Sequence, residues 1–261
     1  MTMTTFKVLQ LNMQYGQGWD DANPDHAPVN LDWTLEEVRG HDADIILLQE
    51  VELAQAGGVQ ADPPPNFTRL RAGLGGYDST FAYPRADPRE LPFGIGLAIF
   101  SKTPLRDILR RDLPSPRVEF EFRGETYTPT DRLLLGATTT VAGRELRLFN
   151  THLLAFFMLK TEATDHPRQL RLVVETARAS TGPTVLAGDF NVAAHEALVR
   201  QFAGAGYQSV QAREPTWRRD PLVLDHIFYN RHLRLVRHLV KPTRASDHHV
   251  LVAEFEFTEA Q

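Results

Sequence analysis

The chain has 261 residues, 42% of them hydrophobic and 23% charged, with a net charge of −5 and no cysteine. Those values describe an ordinary globular protein and exclude disulfides and thiolate metal sites, so any metal must be held by oxygen or imidazole. No basic surplus marks a strong non-specific nucleic-acid binder, although a local basic groove can hide inside an acidic total.

No stretch reaches the ~20 apolar residues of a membrane span, and Met1 to Phe6 lacks the charged start and apolar run of a secretory signal. A single domain over 1–261 is expected, soluble and monomeric. A cytoplasmic location is expected, though the lack of cysteine fits secretion equally.

In chain order, Phe6 to Leu11 reads as the first strand, and Asn30 to Arg39 as a helix capped by Asn30, with Leu31, Leu35 and Val38 on one face. Ile45 to Leu48 is the second strand. Ala54 to Asn66, rich in Gly and Pro, is expected to be a long surface loop, and Ile95 to Phe100 the third strand. Leu113 to Asp131 is a second long loop or ragged hairpin, and Leu146 to Phe149 the next strand. A helix over Pro167 to Ala179 precedes the strand Thr184 to Ala187, and a helix over Ala194 to Ala203 ends at Gly204 and Gly206. Ile227 to Tyr229 and Val250 to Phe255 are the last strands. Strands outnumber helices, and many connections are too short for helical crossovers. The sheets should therefore be mixed and mainly antiparallel, packed face to face with helices outside.

Polar residues fall where these strands end. Asn12 follows the first and Glu50 the second; His152 follows Leu148 and Phe149; Asp189 and Asn191 follow Val185 to Gly188. Asp225 precedes Ile227, and Asp247-His248-His249 opens the last strand. One such residue means little, but six matching strand ends on one rim are hard to explain by packing.

At these residues the chain resembles the endonuclease/exonuclease/phosphatase superfamily. The resemblance runs in order through Leu11-Asn12, Leu48-Gln49-Glu50, Asn150-Thr151-His152-Leu153, Gly188-Asp189-Phe190-Asn191, Leu224-Asp225-His226-Ile227 and Ser246-Asp247-His248. It implies a four-layer α/β sandwich of the DNase I-like kind and hydrolysis of phosphoesters assisted by Mg²⁺ or Mn²⁺.

The chemistry agrees. A phosphoester needs its charge neutralised, a water deprotonated and aimed, and the leaving oxygen stabilised. Glu50 is the expected metal ligand, with Asn12 beside it and Asp247 reaching the metal directly or through water. Asp189 suits the group that deprotonates the water, with Asn191 binding a phosphoryl oxygen or positioning Asp189. His248 suits the phosphoryl oxygen, and the resemblance pairs it with Asp225. His152 is the second imidazole, donating to an oxygen or protonating the leaving group, and Glu90 is a candidate carboxylate behind it. His226 and His249 should point away from the rim by strand alternation.

Two departures matter. Gly96-Leu97-Ala98-Ile99 has leucine where many relatives carry Asn, and Gln14 stands where abasic-site enzymes tend to carry an acidic residue. Together with His152 in place of a tyrosine, this argues against an abasic-site specialist. The expected substrate is a small or lipid-derived phosphoester. The competing expectation is a DNA or RNA nuclease, with Arg69, Arg71, Arg85, Arg89, Arg218 and Arg219 lining a groove and Trp217 stacking on a base. A catalytically silent binding module is the remote alternative.

Overall fold

The structure is a computed structural model that describes residues 5–259. Residues 1–4, on which the secretory-signal expectation partly rests, and 260–261 lie outside them. The first half runs β1 (Thr5–Asn12), α1 (Leu31–His41), β2 (Ile45–Gln49), β3 (Glu52–Leu53), α2 (Pro65–Gly73), β4 (Asp78–Ala82), β5 (Gly94–Ile95) and β6 (Leu97–Ser101). Next come β7 (Arg106–Leu113), β8 (Phe120–Phe122), β9 (Glu125–Tyr127), β10 (Arg132–Val141), β11 (Arg144–His152), α3 (Arg168–Arg178) and β12 (Thr184–Asp189). The chain closes with α4 (His195–Ala203), β13 (Tyr207–Ser209), β14 (Asp225–Asn230), β15 (Leu233–Lys241) and β16 (Val250–Phe257).

Two six-stranded sheets form, in the orders β15-β16-β1-β2-β6-β4 and β13-β14-β12-β11-β10-β7. Each has one parallel pair near its middle, β1–β2 and β11–β12, with antiparallel neighbours. Alternation along β1 explains the layering. Val8 faces a core between the sheets with Leu47, Ile99, Leu148, Val185 and Leu251, while Leu9 and Leu11 face α1. Leu31, Leu35 and Val38 of α1 join Leu70 of α2 on that outer face. Leu170 and Val173 of α3 join Leu198 and Phe202 of α4 on the outer face of the second sheet. The result is the expected four-layer α/β sandwich, helices on the outside.

Asn30 caps α1, its side chain accepting from the Asp32 N–H at 3.1 Å. The Leu113 to Asp131 segment is a hairpin, with Arg123 and Gly124 both at positive φ in the turn between β8 and β9. Other boundaries move. Gly96, at φ 83, splits the expected third strand into β5 and β6. The expected loop Ala54 to Asn66 ends inside α2, which begins at Pro65, where proline's fixed φ suits the first helical turn. Patterning did not reveal β7 and β15, because these arginine-rich strands border the sheets and carry much exposed surface. No helix among the described residues is long and apolar enough to cross a membrane.

Candidate active site

Both parallel pairs end at the same rim. Asn12 pairs in register with Gln49 at the end of β1–β2, and His152 with Asp189 at the end of β11–β12. The carboxyl ends of parallel strands are where open α/β sheets gather ligands. Asp225 begins β14 opposite Asp189, and Asp247 and His248 lie just ahead of β16, with His249 between.

Asn12 joins the two sheets. Its Nδ2 donates to Glu50 Oε1 and to Asp189 Oδ2, each at 3.0 Å, while its Oδ1 accepts from the Gln14 N–H at 3.1 Å. Asn12 therefore turns its NH₂, rather than its oxygen, toward the carboxylates. Glu50 sits at φ 48, unusual for a residue with a long side chain. Its carboxylate fills the space where a Cβ on Gly94 would lie, so only glycine fits there. The backbone approach of β12 to β11 is equally close, since a Cβ on Gly188 would overlap the Thr151 carbonyl.

Asp189 Oδ1 accepts the Asn191 N–H at 2.9 Å, and Asn191 Nδ2 donates to the Leu153 carbonyl at 3.0 Å. Asn191 thus holds Asp189 and the loop after β11. His248 Nδ1 lies 2.8 Å from Asp225 Oδ2, leaving Nε2 3.8 Å from Asp189 Oδ2 and 4.0 Å from Asp247 Oδ1. His152 Nε2 lies 3.7 Å from both Glu50 Oε1 and Asp189 Oδ2.

The two imidazoles are driven apart in charge. For His248, burial disfavours the proton but Asp225, Asp189 and Asp247 outweigh it, lifting its pKa well above the ordinary value. For His152, burial and the positive Arg132 and His248 hold the pKa well below it. One ring is a cationic donor, the other a neutral one.

Burial pushes Glu50 up to about 7; the Asn12 hydrogen bond opposes that rise and Asp247 adds to it. Burial and Asp225 raise Asp189, against His248 and Asn12. Carboxylates crowded this way favour a cation among them, and the donors are hard oxygens and imidazole. Asp189, Asp225 and His248 offer ligand atoms within 4.8 Å of one another, close enough to hold a metal ion. Both Asp225 oxygens are already engaged, one by His248 and one by Gln10 Nε2 at 2.7 Å. Glu50 Oε2 has no hydrogen bond among the described residues and is the more available oxygen.

All eight residues expected at the catalytic and metal positions meet here: Asn12, Glu50, His152, Asp189, Asn191, Asp225, Asp247 and His248. Trp217 joins them, its Nε1 donating to Asp247 Oδ2 at 3.2 Å and its ring lying 6.4 Å from that of His248. Arg218 does not join them. Its guanidinium donates to the Thr243 carbonyl at 2.9 Å and lies over Trp19, and its neighbour Arg219 reaches Asp247 Oδ2 instead, at 2.8 Å. Glu90 is corrected likewise. Its carboxylate accepts from Thr130 and lies 3.6 Å from Arg132, with no bond to His152 among the described residues. Sequence reading also missed Tyr15, whose N–H donates to the Glu50 carbonyl at 2.7 Å and whose hydroxyl is held protonated by burial and by Glu50 and Asp247. Its position three residues beyond β1 was the available signal. His226 points away from the rim, stacked on Phe228 at 5.2 Å.

The profile of the endonuclease/exonuclease/phosphatase family matches residues 9–248. A UPF0294 protein of Yersinia pseudotuberculosis is 35% identical over 136 residues, 49% of this chain and 51% of that protein, so the match spans about half its length. An endonuclease/exonuclease/phosphatase from Beutenbergia cavernae superposes with a TM-score of 0.72 over 98% of this chain and 72% of its own, at 21% identity. ANGEL2, described as a 2′,3′-cyclic phosphatase, superposes with a TM-score of 0.66 over 98% and 97%, at 16% identity. At these identities the structural likenesses show the fold.

Proposed function

The chain belongs to the endonuclease/exonuclease/phosphatase family, and from that premise we propose that it is a divalent-metal-dependent phosphoester hydrolase acting on a small or lipid-derived substrate. The observation that carries this is Asn12, which holds Glu50 and Asp189 on one amide beside a cationic His248.

Glu50 would hold Mg²⁺ or Mn²⁺ with help from Asp247, and the bound ion supplies charge neutralisation at the phosphoryl group. Asp189, fixed by Asn12 and the Asn191 N–H, takes the proton of the attacking water. His248, kept protonated by Asp225, presents its Nε2 proton to a phosphoryl oxygen. His152, kept neutral, donates a hydrogen bond to a second phosphoryl oxygen or to the leaving oxygen. Trp217 and Arg219 hold Asp247.

The arginines support the smaller substrate. Arg85 and Arg89 pair with Asp112 and Asp87, Arg218 with Asp21, and Arg219 with Asp25 and Asp247. Arg69 lies on α2, paired with Asp32. Five of the six groove candidates are so matched, all but Arg71, which leaves few charges to replace the counterions of a nucleic acid.

The test is turnover of a chromogenic phosphodiester, a 2′,3′-cyclic nucleotide and sphingomyelin beside plasmid nicking, in one Mg²⁺ buffer with and without EDTA. Turnover of a small ester that EDTA abolishes, with no nicking, is expected. Activity that survives chelation would overturn the metal role. Nicking at low enzyme concentration, in place of small-ester turnover, would make the protein a nuclease.

A further inference from the structure

Three linked amide side chains sit between the sheets, apart from the buried Ser101–Thr139 hydroxyl pair that joins β6 to β10. Gln10 of β1, Gln49 of β2 and Asn150 of β11 are all fully buried, among Val8, Leu47, Leu148 and Ile99. They form a chain of hydrogen bonds with one direction. Asn150 Nδ2 donates to the Leu48 and Ala98 carbonyls at 2.9 and 3.0 Å, which turns its Oδ1 toward Gln49 Nε2 at 2.7 Å. Gln49 Nε2 also donates to the Leu47 carbonyl at 3.2 Å, which turns its Oε1 toward Gln10 Nε2 at 2.7 Å. Gln10 Nε2 places its second proton on Asp225 Oδ1 at 2.7 Å, and Asp225 Oδ2 receives His248 Nδ1 at 2.8 Å.

Each amide's orientation is imposed by the one before it. Flipping any single amide would set acceptor against acceptor or donor against donor, at a buried place where water cannot substitute. The chain starts from backbone carbonyls of β2 and from Ala98 of β6, groups that cannot turn, and ends on the carboxylate behind the imidazole. Among the described residues, Gln10 is the sole hydrogen-bond donor to Asp225 Oδ1. The Asp225 N–H is engaged elsewhere, by Thr216 Oγ1 at 3.0 Å. Apolar side chains would fill the same space with no polar groups to satisfy, so packing alone does not account for three linked amides.

We propose that Gln10, oriented by Gln49 and Asn150, is a positioning residue that fixes the Asp225 carboxylate and through it the aim of the His248 ring. The role rests on the reading that His248 acts on the phosphoryl group. It makes the core between the sheets part of the catalytic apparatus, with the first sheet orienting an imidazole that pairs with the second.

The test replaces Gln10 by methionine, which keeps the volume and removes the donor. Two readouts are taken: steady-state kinetics on the chromogenic phosphodiester and the low-field ¹H NMR signal of the His248 Nδ1 proton. Gln10→Met should lower kcat about 10-fold or more with KM within about twofold, and should shift or broaden the His248 signal. Gln49→Met, which leaves the Gln10–Asp225 contact and removes only its orientation, should move both in the same direction by less. It also keeps the test open if Gln10→Met fails to fold. A merely structural amide would lower Tm and leave the proton signal and kcat in place, and that result would overturn the proposal. If the wild-type protein hydrolyses none of the esters, the NMR signal still decides the role of Gln10 while the functional reading fails separately.

Discussion

β1 and β2 run parallel through the crossover helix α1, and β11 and β12 run parallel through α3; each pair delivers two polar side chains to the rim. The first pair ends in Asn12 and Glu50, the second in His152 and Asp189. Burial separates them. The Glu50 side chain is 19% exposed and the Asp189 side chain 2%. The less deeply covered carboxylate can meet a hydrated cation, while one sealed behind Asn12 and Asn191 is fit to handle a proton at a fixed place. One backbone device used twice thus yields different chemistry, because the neighbours of each carboxylate differ.

The strongest challenge to that division is to remove one charge from each pair. Asp189→Asn should lower kcat by at least about 10²-fold, with no recovery at high Mg²⁺. Glu50→Gln should lose activity that added metal restores in part. Metal titrations of both variants, with Tm as a check on folding, decide the matter. Equal responses to metal would mean the two carboxylates share one role.

Gly94→Ala sharpens the comparison, because it touches only the first pair. The new methyl group would displace the Glu50 carboxylate, and the Mg²⁺ concentration for half-maximal rate should rise about 10-fold, with a smaller loss of kcat at saturating metal. Unchanged metal dependence would show that Glu50 is not held by this contact.

The smallest expected effect lies behind the first pair, on α1. Glu37 is brought down to about 2 by the His41 hydrogen bond, against burial, with Thr243 and Lys241 helping. Its folded pKa lies below the ordinary 4.5, so its stabilisation is present above that value and is lost as pH falls from about 4.5 to about 2. Glu37→Gln should be less stable at pH 7 by about 1–3 kcal/mol and should lose less stability across that window. Denaturant unfolding at pH 7, 4 and 3 measures both. Parallel acid profiles for the two proteins would deny Glu37 the role.

Much of the site was legible because a strand's end is a local event. An apolar run followed at once by Asn12, Glu50, His152 or Asp189 marks the rim wherever that strand lies in its sheet. Side-chain partners were less legible. Arg218 and Arg219 are neighbours in sequence, yet only the Arg219 side chain reaches the Asp247 carboxylate, because the Arg218 guanidinium turns to the Thr243 carbonyl and only its backbone N–H meets Asp247. Glu90 lies before β5 as expected, but Arg132 and Thr130 claim its carboxylate.

By itself, the sequence determined the two-layered strand pattern, the outer helices α1, α3 and α4, and the eight catalytic and metal candidates at the rim. Alternation and capping act over a few residues, so they leave a local signature. Only the tertiary structure decided that Asn12 would bridge Glu50 to Asp189, that one histidine would be charged and the other neutral, and that Gln10 would reach Asp225 across the core. These depend on groups up to 215 positions apart in the chain and on how much water burial removes from between them.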